Sequence, residues 1–318
     1  MKYLCVSANP AIDKQLLLGE LKPGEVHRVK DARPHAGGKA AHVAMVLRTL
    51  GETPLWIGFA GGEAGEDLLA GLQDLGIRTH ACATKQRTRV NLEIIEDGGR
   101  VTEILESGGT PSPLEVAEFR KSCEAAFAQE REQLTVIFSG SLPSGIEENF
   151  YATLIGRANS FGCRTLLDTS GEALRLGLGA SPGFVKPNRQ EVERLVGWSV
   201  NGLAQAACAA RQLITWGARS AAVSLGDQGL LWCPGPGEPV YHAKAVPVKA
   251  RSTVGSGDTT VAAFAFAAGQ GLGMDDTLRL AVACGAANCL ADSPGAALMR
   301  DIDDFKKQVL VEMFLEAA

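Results

Sequence analysis

What the chain lacks narrows its class. No apolar run in its 318 residues reaches the roughly 18 needed to cross a bilayer. At the N-terminus one lysine precedes only four strand-like residues, 3–6, before a serine, too little for a secretory signal. Positive charge is not in excess: 31 Lys and Arg stand against 36 Asp and Glu, a net charge of −5. That balance argues against general nucleic-acid binding and leaves only local basic clusters for a small anion. The eight cysteines, at positions 5, 82, 123, 163, 208, 233, 284 and 289, form no C-x-x-C pair and no zinc-ligand spacing with histidine. They are expected to be small buried residues of a reduced, cytoplasmic protein. Proline- or serine-rich linkers and internal repeats are missing as well. What the chain has in excess is glycine, 37 residues or nearly 12%, against about 7% on average. These glycines are not periodic, which excludes collagen, and they fall in short clusters.

Hydrophobic patterning gives the fold class. From residue 111 onward strand-like and helix-like runs alternate: helix 113–129, strand 134–138, helix 147–161, strand 164–168 and a short helix near 172–178. Strand 183–186, helices near 189–197 and 202–216, strand 219–225 and a hairpin or meander over 229–246 follow. Helices at about 256–270, 275–291 and 302–316 close the chain. Such alternation predicts an α/β fold, a mostly parallel sheet covered on both faces. Before it, strand 2–8, a helix from 37 to 50, strand 53–60 and an amphipathic helix 63–75 fit the same scheme. Residues 12–35 and 87–106 do not. The second of these holds two strand-like runs flanking Asp97-Gly98-Gly99, a hairpin signature. Together they are expected to form a small β-sheet lid (12–35 and 87–106) on a core of 1–11, 36–86 and 107–318, all within one domain.

Six segments carry candidate chemistry. Ser252-Thr253-Val254-Gly255-Ser256-Gly257-Asp258 leads into a helical run. Glycines before a helix let backbone N–H groups converge on an anion, helped by the helix dipole. Asp258 would repel a phosphate, so it is either an acid favoured by the dipole or a base beside a phosphoryl group under transfer. Gly37-Gly38-Lys39-Ala40-Ala41-His42-Val43-Ala44 opens another helix; its spacing is not that of a Walker A loop, and a turn with a solvated lysine is the alternative. Ser139-Gly140-Ser141-Leu142-Pro143 and Ser224-Leu225-Gly226-Asp227-Gln228-Gly229 leave strand ends, where crevices of open α/β sheets bind ligands. The second of these also reads as a hairpin turn, and it lacks the first glycine of a G-x-S-x-G hydrolase elbow. Lys186-Pro187-Asn188-Arg189-Gln190-Glu191 looks like a capping box, and Asn9-Pro10-Ala11-Ile12-Asp13 follows the first strand.

In this order the segments resemble the PfkB (ribokinase-like) sugar kinases. Asn9-Pro10-Ala11-Ile12-Asp13, Thr88-Arg89-Val90-Asn91-Leu92 and Ser139-Gly140-Ser141-Leu142-Pro143 bring the chain nearest to the 1-phosphofructokinase and tagatose-6-phosphate kinase branch. The resemblance runs from Asn9 to about Asn288. It implies a three-layer α/β/α ribokinase-like core with a β lid, and an ATP-dependent kinase acting on a phosphorylated ketohexose with Mg²⁺ as cofactor. Asp258 would be the catalytic base, with Gly255, Ser256 and Gly257 forming an anion hole. Asp13, Gly38 and His42 would meet the sugar. Arg28, Lys39, Arg89 and Ser139 would hold the phosphate already on it. Lys186, Asn188, Glu191, Ser224, Gly226, Gly229 and Asn288 would lie on the nucleotide side. A homodimer through the lid is implied, with no nucleic-acid or membrane partner. A kinase of an unphosphorylated sugar or nucleoside, and a non-catalytic sugar-phosphate sensor, are the alternatives.

Two positions depart from the family pattern. Ala40 stands where the family has glycine, adding a methyl group where the backbone would approach sugar or take an unusual φ. His42 replaces an asparagine, so the sugar would meet a larger ring with different donors, and pH dependence near neutrality would follow. Packing of His42 against the lid without ligand contact is the alternative, and His27, next to Arg28, is expected on the lid surface.

Overall fold

A computed structural model describes residues 2–315. The first half contains β1 (Tyr3–Ser7), β2 (Ala11–Leu18), β3 (Asp31–Gly37), α1 (Lys39–Thr49), β4 (Leu55–Ala60), α2 (Gly62–Asp74), β5 (Arg78–Ala83), β6 (Arg89–Glu96), β7 (Val101–Ile104) and α3 (Pro113–Glu130). The alternating part follows with β8 (Thr135–Ser139), α4 (Phe150–Ser160), β9 (Arg164–Asp168), α5 (Gly171–Leu178), β10 (Phe184–Val185), α6 (Arg189–Val196), α7 (Leu203–Thr215) and β11 (Ala221–Ser224). The end of the chain holds β12 (Leu230–Cys233), β13 (Val240–Ala243), α8 (Ser256–Gln270), α9 (Met274–Leu290), α10 (Met299–Lys306) and β14 (Val311–Phe314).

Ten strands form one sheet in the order β14-β13-β12-β11-β10-β9-β8-β1-β4-β5. From β5 to β11 every pairing is parallel, and β12 to β14 add an antiparallel edge. The chain leaves β1 toward β4 on one side and later returns to β8 on the other. That reversal opens a crevice at the C-terminal strand ends, the usual ligand site of such sheets. Side chains alternate along the buried strands and feed two cores. Leu4 and Val6 of β1 join Phe119, Phe127, Tyr151 and Leu213 on one face. Tyr3 and Cys5 join Val46, Leu68, Phe264 and Leu278 on the other. The two β segments that broke the α/β pattern form the expected smaller sheet, in the order β3-β2-β6-β7.

Local chemistry sets the helix starts. Ser112 and Glu115 form a capping box with Pro113 at the first helical position of α3. Asn188 and Glu191 do the same for α6, as the sequence pattern predicts. All eight cysteines are free thiols; six are buried as expected, whereas Cys208 is exposed and Cys289 half-buried.

Two elements differ from the sequence expectation. The strand β5 was not anticipated; it pairs with β4 along its full length. The expected closing helix over 302–316 is wrong: α10 ends at Lys306, and the chain then pairs antiparallel with β13 as β14. The cause is the free edge of β13. It satisfies the backbone of a short run containing Val311 and Phe314, and tertiary pairing overrides helix propensity there. Residue 316 of that expected helix lies outside the described residues.

Candidate active site

The candidate residues gather at the C-terminal edge of the large sheet. Ser139 ends β8, Lys186 directly follows β10, and Ser224 ends β11. Asp13 arrives from β2 of the smaller sheet, Lys39 and His42 from α1, and Asp258 from the first turn of α8. Size alone does not mark this site. A cavity of about 390 Å³ opens at the opposite strand ends, among Arg164, Phe184, Arg219, Trp232 and Phe264, and none of these site residues lines it.

Asp13, His42 and Asp258 form a continuous buried chain. His42 Nε2 lies 3.0 Å from Asp13 Oδ2, and His42 Nδ1 lies 2.7 Å from Asp258 Oδ2. All three side chains are buried. Asp13 also accepts from the Gly38 N–H at 3.1 Å and from Asn91 Nδ2 at 2.8 Å. Gly37 leaves room for this arrangement: a Cβ there would fall 2.3 Å from Asp13 Cγ. Burial alone would push the Asp13 carboxyl up. The hydrogen bond and charge of His42 outweigh it and hold Asp13 below the ordinary carboxylate range. For His42 burial works downward, yet the two carboxylates push it up from 6.5 to about 10. The paired carboxylates thus favour the charged ring and move its titration from neutrality, where the sequence places it, toward alkaline pH.

Lys39 links this chain to a residue the sequence reading missed. Its ammonium donates to Asp168 Oδ2 at 3.1 Å and lies 3.9 Å from Asp258 Oδ1. Asp168 ends β9, is buried, and also accepts from the Ser139 hydroxyl at 3.3 Å. Against the cost of burial, the charges of Lys39 and then Lys186 hold the Asp168 carboxyl below its usual range. Burial of Lys39 is likewise overcome, chiefly by Asp168, which raises it above an ordinary lysine. A strand-terminal aspartate at the switch-point edge was the available signal. Three carboxylates (Asp13, Asp168, Asp258) thus meet three cations (Lys39, His42, Lys186).

The glycines of the expected anion cradle lie at the start of α8, Gly255 just before it and Gly257 in its first turn. Gly255 caps the helix in the left-handed region at φ 80°, and a Cβ there would meet Pro294 at 2.8 Å. At Gly257 a Cβ would stand 3.4 Å from Lys186 Nζ, so the lysine lies directly over the helix start. Lys186 also reaches the Ser224 hydroxyl at 3.5 Å, and Asn188 bridges to Ser224 in parallel register. Gly226 faces open space, whereas Gly229 is needed for packing, since a Cβ there would fall 2.1 Å from the Ala243 carbonyl oxygen. Asn288 holds the loops around the cradle: it donates to the Val254 carbonyl and accepts from the Gly295 N–H. Glu191 is engaged as the α6 cap.

The remaining candidates are less tightly gathered. Arg89 opens β6 and donates to the carbonyls of Glu106 (2.8 Å) and Asn9 (3.0 Å), while its buried Nε has no partner. It borders a small cavity of about 30 Å³ with Asn9, Arg87, Gly108 and Pro143. Arg28 is exposed in the connection between β2 and β3, and among the described residues no hydrogen bond or ion pair joins it to Lys39, Arg89 or Ser139. His27, in the same connection, contacts the Lys22 backbone. Ala40 lies inside α1 with its methyl group buried in the core, so no unusual φ arises at that position.

Residues 1–300 match the model of the pfkB family carbohydrate kinases. The chain is 34% identical over 281 residues to 1-phosphofructokinase of Escherichia coli (strain K12), covering 88% of each chain. It is 28% identical to 1-phosphofructokinase of Vibrio cholerae, covering 98% of this chain and 96% of that one. The structure of phosphofructokinase-2 from Escherichia coli in complex with fructose-6-phosphate superposes with a TM-score of 0.87 at 26% identity, covering 96% of this chain and 98% of that one. The chain belongs to the pfkB family of carbohydrate kinases, phosphotransferases with an alcohol group as acceptor.

Proposed function

We propose that this kinase transfers the γ-phosphoryl group of ATP to a hydroxyl of a phosphorylated ketohexose, of the fructose 1-phosphate or tagatose 6-phosphate type. The observation that carries this reading is Asp258: a buried carboxylate in the first turn of α8, behind the Gly255–Gly257 cradle and beside Lys39. In the proposed step Asp258 takes the hydroxyl proton as the sugar oxygen bonds to the γ-phosphorus. The bond from that phosphorus to the β–γ bridging oxygen breaks, and ADP leaves with its electron pair. The amides of Gly255, Ser256 and Gly257, with the Lys186 ammonium above them, would stabilise charge on the transferring group.

Asp13 would accept from sugar hydroxyls, with the Gly38 backbone against the ring. Lys39, Ser139 and Arg89 would hold the phosphate already on the acceptor, with Arg28 as a further member from the lid. Lys186, Asn188, Ser224, Gly226, Gly229, Asn288 and Glu191 make up the proposed nucleotide side. The donor set fits ATP with magnesium held by phosphates and water. Among the described residues no cluster of three or more His, Cys, Asp or Glu could ligate a metal, whereas the cradle and Lys186 suit phosphate oxygens. Magnesium would supply charge neutralisation on the phosphates. Val26, Val29, Ile104 and Leu105 are exposed on the smaller sheet and its connections, and homodimerisation through this lid is part of the proposal. Sedimentation at micromolar concentration should give twice the chain mass; a monomer would remove that part.

The test is an acceptor panel with ATP and Mg²⁺: fructose 1-phosphate, fructose 6-phosphate, tagatose 6-phosphate, fructose, ribose and adenosine. ADP release that depends on a phosphosugar is the expected result, and turnover confined to the free sugars or adenosine overturns it. Within the panel, Arg89→Ala should raise KM for the phosphosugar by roughly ten- to a hundred-fold, the worth of a charged hydrogen bond. An unchanged KM would remove Arg89 from the phosphate pocket.

A further inference from the structure

His42 is placed in a way that its position in the sequence does not suggest. Each ring nitrogen faces a carboxylate oxygen, at 3.0 Å (Asp13) and 2.7 Å (Asp258). A neutral imidazole has one N–H and one lone pair, so it could donate to only one of them. Both acceptors are carboxylates, and only the doubly protonated ring satisfies both. Its backbone is fixed as well. Gly295, held by Asn288, packs so closely that a Cβ there would fall 2.9 Å from His42 Cα. We infer that His42 is a positioning residue that locks the sugar-side carboxylate Asp13 to the base Asp258 by donating to both, and that it offers no ring nitrogen to the acceptor. This assignment rests on the kinase reading above only for the words "sugar-side" and "base"; the bridge itself does not depend on it.

The consequence concerns both geometry and specificity. Asp13 comes from the smaller sheet and Asp258 from α8, so one ring ties the two layers together at the reacting centre. Acceptor selection at this point falls to the free faces of Asp13 and Asp258. An asparagine, the residue the family pattern has here, could donate to one carboxylate while turning its carbonyl oxygen elsewhere. Besides Asp13 on β2 and Asp258 on α8, His35 on β3 and Glu103 on β7 interact with His42 through their charges, and Lys39 on α1 lies 3.9 Å from the Asp258 carboxylate. The two hydrogen-bonded carboxylates dominate this set, and His42 is held charged up to about 10.

The bridge is tested on the whole protein without ligand by ¹⁵N spectroscopy of the histidine rings. Among the chain's five histidines, the His42 signal is the one lost in His42→Asn or His42→Gln. Both of its ring nitrogens should be protonated from pH 7 to 9. Asp13→Asn and Asp258→Asn should each lower its midpoint by about one to three pH units. A neutral, single-tautomer His42 at pH 7.5, or a midpoint untouched by both variants, overturns the inference. These readouts need no turnover, so they stand apart from a failure of the acceptor panel. With an active acceptor, kcat/KM of the wild type should fall as His42 loses its proton near pH 10. His42→Asn should lower kcat/KM at pH 7.5 by roughly ten- to a hundred-fold and lack that alkaline limb. An alkaline limb that persists in His42→Asn also contradicts the assignment.

Discussion

Replacing Asp258 with Asn is expected to lower kcat by roughly 10²- to 10⁴-fold, the usual contribution of a positioned general base. The substitution preserves shape but removes the group that would accept the hydroxyl proton. KM for ATP and for the phosphosugar should change far less, because the Lys186 cradle and the Lys39–Asp168 pair remain in place. This split distinguishes a chemical role from a merely structural one. Loss of a structural aspartate would reduce the folded fraction and leave kcat per folded molecule intact. The measurement is steady-state ADP release alongside far-UV circular dichroism. A folded Asp258→Asn protein with kcat within tenfold of wild type would contradict the role given to Asp258.

His42→Ala should be the most destabilising change at the site. It leaves Asp13 and Asp258 buried without the cation they share. Removing one partner of a buried ion pair typically costs about 3 to 5 kcal/mol. Asp13 keeps its donors Gly38 and Asn91, and Asp258 keeps Lys39 at 3.9 Å, so the lower end, about 3 kcal/mol, is expected. The pH dependence has a definite sign. His42 is raised in the folded state from 6.5 to about 10. Its contribution is therefore fully present below about 6.5 and lost as the pH rises toward 10. Urea denaturation should show a gap between wild type and His42→Ala that is wide near neutrality and narrows by pH 10. A gap that stays constant or widens with pH would contradict a charged His42.

The sequence made much of this legible, for physical reasons that differ from residue to residue. The α6 cap could be read because Asn188 and Glu191 are three residues apart and satisfy each other's backbone locally. Gly255 to Asp258 could be read because a helix start needs its signals within one turn. The smaller sheet stood out because residues 12–35 and 87–106 break the helix–strand rhythm. Asp168 was hidden because a strand ending in aspartate is ordinary, and its partner Lys39 is 129 residues away. The charge state of His42 was hidden for the same reason: Asp258 lies 216 residues from it, and only the fold brings two carboxylates to one ring. The closing strand β14 was missed because its pairing depends on the free edge of β13, which a local pattern cannot show.

A phosphorylated ketohexose should receive the phosphoryl group, with Asp258 as base. Phosphorus NMR of the protein mixed with ATP, Mg²⁺ and each phosphosugar follows the transferred atom directly. A second phosphomonoester resonance should appear on at least one phosphosugar, grow in step with ADP and be absent with Asp258→Asn. ADP accompanied only by inorganic phosphate, or a new ester formed only from unphosphorylated sugars, would contradict it.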